Sequence, residues 1–195
     1  MMTTDPPSQP LPLRKSFLLR WIGRATLALL GWRIQGGMPT VPKAVAIVAP
    51  HTSNWDFVLG LATILALEVR VDWLGKNSIF RWPFKRLLQS LGGIPVNRAN
   101  SHGVVQQTVA LFGQRKNIIL GLSPEGTRKK VTHWKSGFYH IAVNAGVPLF
   151  LASLDYRLKE IQLGPLFYPC GDWDTDLPKI QTHFAKATPR YPHQY

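Results

Sequence analysis

The sequence predicts an α/β domain, a largely parallel sheet flanked by helices, and three observations carry that expectation. Short apolar runs rich in β-formers recur along the chain, AVAIVA at 44–49, NIILGL at 117–122 and VPLFLAS at 147–153, each the length of a buried strand. Stretches with helical spacing of apolar residues separate them, and strand–helix alternation is the mark of parallel βαβ units. The chain of 195 residues suits one domain, long enough to bury a core without staples. No repeat, low-complexity tract or linker divides it.

Taken in order, residues 1–12 are Pro-rich and polar and read as an extended arm. They lack a basic segment followed by an apolar one, so no secretory signal is expected. Residues 15–32 form an amphipathic helix with Arg20 and Arg24 on one face, four residues apart. Such charges and this length argue against a membrane span. The helix fits either a membrane surface or the packed core. With the arm it makes a segment 1–35 ahead of a domain 36–195. A strand at 44–49 follows, then a helix at 54–67, a strand at 69–74, a basic helix at 81–91 and a strand at GGIPVN. Next come a helix at 103–114, a strand at 117–122, a helix at 135–145 and a strand at 147–153. An edge strand at 161–167 and a short helix near 177–187 close the pattern.

Composition narrows the function. Cys170 is the one cysteine, which excludes a disulfide framework and a cysteine-rich zinc module. Lys and Arg outnumber Asp and Glu 23 to 10, a net charge of +13, while seven Trp and nine Phe accompany them. A basic chain this rich in aromatics points to an anionic partner with an apolar part. A nucleic-acid partner is not expected, because no recognition motif is present and the cations sit in turns. His102, His133, His140 and His183 are scattered, so no metal is expected.

Four polar clusters follow the ends of predicted strands. His51 and Asp56 follow the strand at 44–49, in PHTSNWD. On a continuous helix they would point roughly 140° apart. With Ser53 or Asn54 capping the next helix, the bend could bring imidazole and carboxylate together. An aspartate on one ring nitrogen fixes the tautomer and leaves the other as a base. Spacing alone is equally satisfied by a capping histidine beside an aspartate suited to a helix N-terminus. Lys76 follows the strand at 69–74, Arg98 follows GGIPVN, and Glu125-Gly126-Thr127-Arg128 follows NIILGL. Ligand crevices of open α/β sheets lie outside the carboxyl ends of the strands. Lysine and two arginines there describe a pocket for an anion, most simply a phosphate. Each taken singly is also an ordinary solvated charge.

At these residues the sequence resembles the glycerolipid acyltransferases typified by lysophosphatidic acid acyltransferase (1-acylglycerol-3-phosphate O-acyltransferase). PHTSNWD resembles their first block, GGIPVNR the second, SPEGTR the third and GVPLFLA the fourth, in order over about 44–152. Pro50 stands where Asn is common, Ser123 where the family has an aromatic or aliphatic residue, and Phe150 is bulky for its block.

The resemblance implies a phospholipid-biosynthetic O-acyltransferase. It would move a fatty acyl group from acyl-CoA or acyl carrier protein to the free hydroxyl of a lysophospholipid. His51 would be the base and Asp56 its orienter. Lys76, Arg98 and Arg128 would hold the acceptor phosphate, and Glu125 would hold an arginine fork or an acceptor hydroxyl. Gly126 and Thr127 complete the site motif. No cofactor is implied beyond the acyl donor, and Cys170 is expected to be structural. The resemblance places the protein on the cytoplasmic face of a membrane, peripherally, against anionic lipid. Another lysolipid or an amino-acid-derived lipid acceptor is the alternative, with a hydrolase using the same pair a further one.

Overall fold

The computed structural model describes residues 11–12, 15–96 and 101–195, with side chains at all of these except 101 and 102. In chain order the elements are α1 (Phe17–Leu30), β1 (Arg33–Gly36), β2 (Lys43–Ala49), α2 (Asn54–Ala66), β3 (Asp72–Lys76), α3 (Lys85–Ser90) and β4 (Gly93–Val96). They continue as α4 (Ser101–Gln114), β5 (Ile118–Leu122), α5 (Gly137–Ala145), β6 (Leu149–Asp155), β7 (Glu160–Phe167) and α6 (Trp173–Phe184). The expected mixed α/β domain is thus present, with an N-terminal helix.

The strands form one sheet in the order β1-β7-β6-β2-β5-β3-β4. β6, β2, β5, β3 and β4 run parallel to one another, while β7 is antiparallel to β6 and carries β1 parallel beside it. β7 is therefore not the edge strand the sequence suggested. Four residues, Arg33–Gly36, pair outside it, and a run so short and so polar gives little period-two signal. The hairpin joining β6 to β7 turns at Asp155, whose carboxylate accepts the N–H groups of Arg157 and Leu158.

β2 is apolar along nearly its whole length because both its faces are covered, as central parallel strands require. Val45, Ile47 and Ala49 face a core built with Phe112 of α4, Phe138 and Tyr139 of α5, and Ile180 and Phe184 of α6. Ala44 and Ala46 face the other side, against Ile119, Phe150 and Leu11. α1 and α2 cover the remainder of that second face, with Leu27, Leu59, Ala62 and Leu154 in one cluster.

α1 answers the open question about residues 15–32 with both properties. Its inner face packs on α2 through Gly23 and Leu27. A Cβ at Gly23 would lie 2.5 Å from the Ala62 carbonyl and the Ala66 nitrogen, so only glycine permits this approach. Its outer face leaves Phe17, Leu18, Trp21, Ile22 and Leu29 exposed. Two residues of the segment do not belong to that outer face. Trp32 is buried, edge-on to Tyr156 at 4.8 Å. Arg20 is paired with Glu68 at 3.1 Å.

The basic helix expected at 81–91 is also shorter. Pro83 lacks an N–H and disfavours helical backbone before it, so the helix starts at Lys85. α6 begins earlier than expected because Asp172 caps it, accepting the N–H of Asp174. Asp176 within it is buried and accepts the Tyr139 hydroxyl (2.8 Å) and the Cys170 N–H (2.7 Å). Burial opposes its ionisation, yet these donors outweigh it and hold the carboxyl below the ordinary range. Cys170 thereby serves the packing of α6 on α5 through its backbone.

Candidate active site

His51 and Asp56 meet. Ser53 caps α2 with its side chain on the Trp55 N–H, and Asp56 in the first turn reaches back to the Ser53 N–H as a capping box. That return fold turns the carboxylate toward the loop leaving β2. One oxygen, Oδ2, accepts the N–H groups of Thr52 and Ser53, each at 2.8 Å, and lies 3.1 Å from Nδ1 of His51. The capping role and the orienting role belong to the same carboxylate. The Asp56 side chain is 1% exposed and that of His51 24%, so the carboxylate is sealed and the imidazole can be reached. Among the described residues Nε2 of His51 has no hydrogen-bond partner.

Glu125, at the end of the neighbouring strand β5, is buried. One oxygen accepts the backbone N–H of His51 (3.0 Å) and the other the Ser123 hydroxyl (2.6 Å). It thus holds the histidine loop. The residue that departs from the family pattern, Ser123, supplies one of its donors. Gly126 follows at φ 64, a left-handed turn that favours glycine, and Thr127 accepts the Lys129 N–H. That turn brings Arg128 to Asn54, whose side-chain oxygen accepts from Nη1. Lys76 ends β3 in an exposed position. No carboxylate pairs with Lys76 or Arg128 among the described residues. Arg98 lies outside the described residues.

Across the carboxyl edge of the sheet the side chains therefore stand in the order His51 after β2, Glu125 and Arg128 after β5, Lys76 at the end of β3. Neighbouring strands are ~4.8 Å apart, so Lys76 starts about two strand spacings, ~10 Å, from the histidine strand. An open cavity of about 430 Å³ lies beside the histidine, lined by Thr52, Ser53, Asn54, Trp55, Arg128, Tyr191 and Gln194.

A family model described as Acyltransferase matches residues 35–153, more than half of the chain, and spans His51, Asp56 and Glu125. The chain belongs to the acyltransferase family. Curated relatives include the 1-acyl-sn-glycerol-3-phosphate acyltransferases of Escherichia coli, 29% identical over 148 residues, and Haemophilus influenzae, 26% identical over 148 residues. These alignments cover 71% of this chain and 59% and 60% of the relatives, so the chain spans about three-fifths of their length. The crystal structure of the 1-acyl-sn-glycerophosphate acyltransferase from Thermotoga maritima shares the fold, with a TM-score of 0.64 and 17% identity over 85% of this chain and 75% of that one.

The acyltransferase segment ends at residue 153, and the groups the sequence reading missed lie beyond it. The Tyr156 hydroxyl donates to the second oxygen of Asp56 at 2.5 Å. The guanidinium of Arg190 stands over the rings of Trp55 (5.3 Å), Tyr191 (5.6 Å) and Tyr156 (5.9 Å). Tyr191 N–H donates to the Thr52 hydroxyl, and Gln194, its amide turned to donate, reaches the carbonyls of Thr52 and Arg128. Burial and then the Glu125 charge push the Tyr195 phenol up to about 12. Tyr156 had a usable signal, since it follows the carboxyl end of β6 as His51 follows that of β2. Residues 190–195 carried none: they reach the site by chain trajectory alone.

Proposed function

We propose that the protein is an O-acyltransferase. It moves a fatty acyl group from a thioester, acyl-CoA or acyl carrier protein, to the free hydroxyl of a lysophospholipid such as lysophosphatidic acid. The observation that carries this reading is the buried Asp56 on Nδ1 of a reachable His51 whose Nε2 has no partner among the described residues. Nε2 takes the proton of the acceptor hydroxyl as its oxygen bonds to the thioester carbonyl carbon. Asp56 keeps the tautomer and stabilises the imidazolium. When the carbon–sulfur bond breaks, the imidazolium returns the proton to the departing thiolate, giving ester and thiol. No protein nucleophile and no resident cofactor enter this scheme.

Arg128, Lys76 and Arg98 grip the acceptor phosphate and hold its hydroxyl at the base, a positional contribution to rate. The curated relatives are named for 1-acyl-sn-glycerol-3-phosphate, and Lys76 and Arg128, which no carboxylate among the described residues answers, favour a phosphorylated acceptor over an uncharged one.

Among the described residues no helix is long and apolar enough to cross a membrane. The outer face of α1, with exposed Trp82, Phe84 and Leu87 before and within α3, supports peripheral binding to an anionic leaflet. A donor carried on coenzyme A or a carrier protein would be met on the cytoplasmic face, and that is the face this reading assigns to the site.

The test is mass spectrometry of products from purified protein given an acyl thioester and a panel of acceptors. Phosphatidate formed from lysophosphatidate supports the reading. Preference for a phosphate-free lysolipid overturns the acceptor, and free fatty acid without acceptor marks a hydrolase.

A further inference from the structure

Asp56 has two carboxylate oxygens, and the mechanism above uses one. Oδ2 is saturated by Thr52 N–H, Ser53 N–H and the imidazole. Oδ1 is taken by a phenol from a different part of the chain, Tyr156, one hundred residues away in sequence. Its ring is set edge-on against buried Trp32, and its backbone N–H donates to the Thr188 carbonyl at 2.9 Å. The Arg190 guanidinium lies over the same ring at 5.9 Å. Core packing, the segment at 188–190 and the cation thus hold one hydroxyl on the orienting carboxylate.

We infer that Tyr156 is a positioning residue for the His51–Asp56 pair, its hydroxyl fixing the rotation of the Asp56 carboxylate so that Oδ2 stays on Nδ1 of the imidazole. A carboxylate bonded at one oxygen only can swing about its terminal torsion, a broad and soft rotation. The two backbone donors hold Oδ2 from the α2 side, and the phenol closes the opposite side. Burial first, then the hydrogen bond and charge of Asp56, raise the phenol's ionisation far above its ordinary range. Tyr156 therefore stays protonated, and a donor, at neutral pH. Arg190, beside the same ring, works against that rise without cancelling it.

This inference rests on the acyltransferase reading for its rate prediction but not for its geometry, and the experiment separates the two. Tyr156→Phe keeps the ring against Trp32 and removes only the hydroxyl. In single-turnover and steady-state assays with acyl-CoA and lysophosphatidate, kcat is expected to fall about 10- to 100-fold, the range for hydrogen bonds to charged or functional groups. KM for both substrates should stay within twofold. In parallel, the imidazole NH proton resonance of His51, followed by NMR in the folded protein without substrate, is expected to move in Tyr156→Phe. A merely structural tyrosine would lower the melting temperature and leave that resonance in place.

Arg190→Gln is the second variant: it should reduce kcat less, and should have no further effect once Tyr156 is Phe. Unchanged kcat and an unmoved imidazole resonance in Tyr156→Phe overturn the inference, as does equal loss in kcat and in acceptor affinity. If the wild-type protein transfers no acyl group to any acceptor, the functional reading fails there, while the imidazole resonance still decides the role of Tyr156.

Discussion

Two regions of the site are built on opposite plans. At the histidine corner, Asp56 and Glu125 are each 3% exposed and every carboxylate oxygen has a donor from the protein. At the cation rim, Lys76 and Arg128 are exposed and no carboxylate among the described residues answers them. The difference matches what the proposed function asks of each region. A base works only if its tautomer and direction are set before the proton moves, so its surroundings are preorganised. A phosphate brings its own oxygens, and long flexible cations can close on it after it arrives. Pairing those cations internally would set a protein carboxylate in competition with the ligand.

The largest effects should therefore fall on the corner. His51→Ala removes the base and is expected to cut kcat by at least about 10²- to 10⁴-fold, with the melting temperature little changed because the ring is partly exposed. Near-normal turnover would break the contrast at its root. Asp56→Asn comes next. An amide cannot serve both the imidazole and the N–H groups of Thr52 and Ser53 on its nitrogen side, so kcat should fall severely while acceptor KM holds. Loss of the capping box should also lower stability by about 1 kcal/mol, measurable by urea denaturation. Glu125→Ala strands the His51 N–H and is expected to reduce both stability, by ~1–3 kcal/mol, and kcat.

How much of this was legible differs between the same two regions. That His51, Lys76, Glu125 and Arg128 each follow the carboxyl end of a strand was readable from alternation and the crevice rule, whereas their order across the sheet came only with the strand pairing. The pairing of His51 with Asp56 followed from a cap that bends the chain. Glu125 was visible as a residue but its role was not, because a carboxylate that accepts a backbone N–H from residue 51 leaves no spacing signature. Arg190, Tyr191 and Gln194 were invisible, since contacts 139 residues apart such as Tyr191 on Thr52 depend on where β7 and α6 deliver the chain. β1 and the hidden face of Trp32 were missed for a related reason: a short polar strand and an aromatic residue just past a helix look alike whether buried or exposed.

At the rim the effects should be smaller and of another kind. Arg128→Ala is expected to raise acceptor KM about 5-fold, near 1 kcal/mol for an exposed charged contact, and to leave kcat and thioester KM nearly unchanged. The increase should shrink with added salt, as exposed charges are screened. An equal rise in both KM values would mean that Arg128 holds the donor. A loss of stability would mean that its bond to Asn54 belongs to the preorganised corner, which would redraw the boundary between the two regions.

The smallest expected effect per residue lies on the outer face of α1, where the same contrast recurs within one helix. Its inner face is fixed by the Gly23 contact with α2, whereas Phe17, Trp21 and Leu29 are 75%, 63% and 87% exposed and make no use of that packing. Removing the whole helix would uncover Ala62 and Ala66, so the informative variants change only the outer residues. Phe17→Ser, Trp21→Ser and Leu29→Ser should each leave the melting temperature in place and weaken retention on anionic vesicles by a few-fold, since an in-plane helix buries each side chain only in part. Lys15, Arg24, Arg81, Lys85 and Arg86 remain to meet headgroups at ~1 kcal/mol each near the surface; Arg20, held by Glu68, should contribute nothing. Co-sedimentation with vesicles across salt and anionic-lipid content is the measurement. Retention that falls with salt and with each serine confirms a surface-bound helix. Equal retention by all variants would place the contact elsewhere, and no retention by the unaltered protein would end the membrane reading of α1.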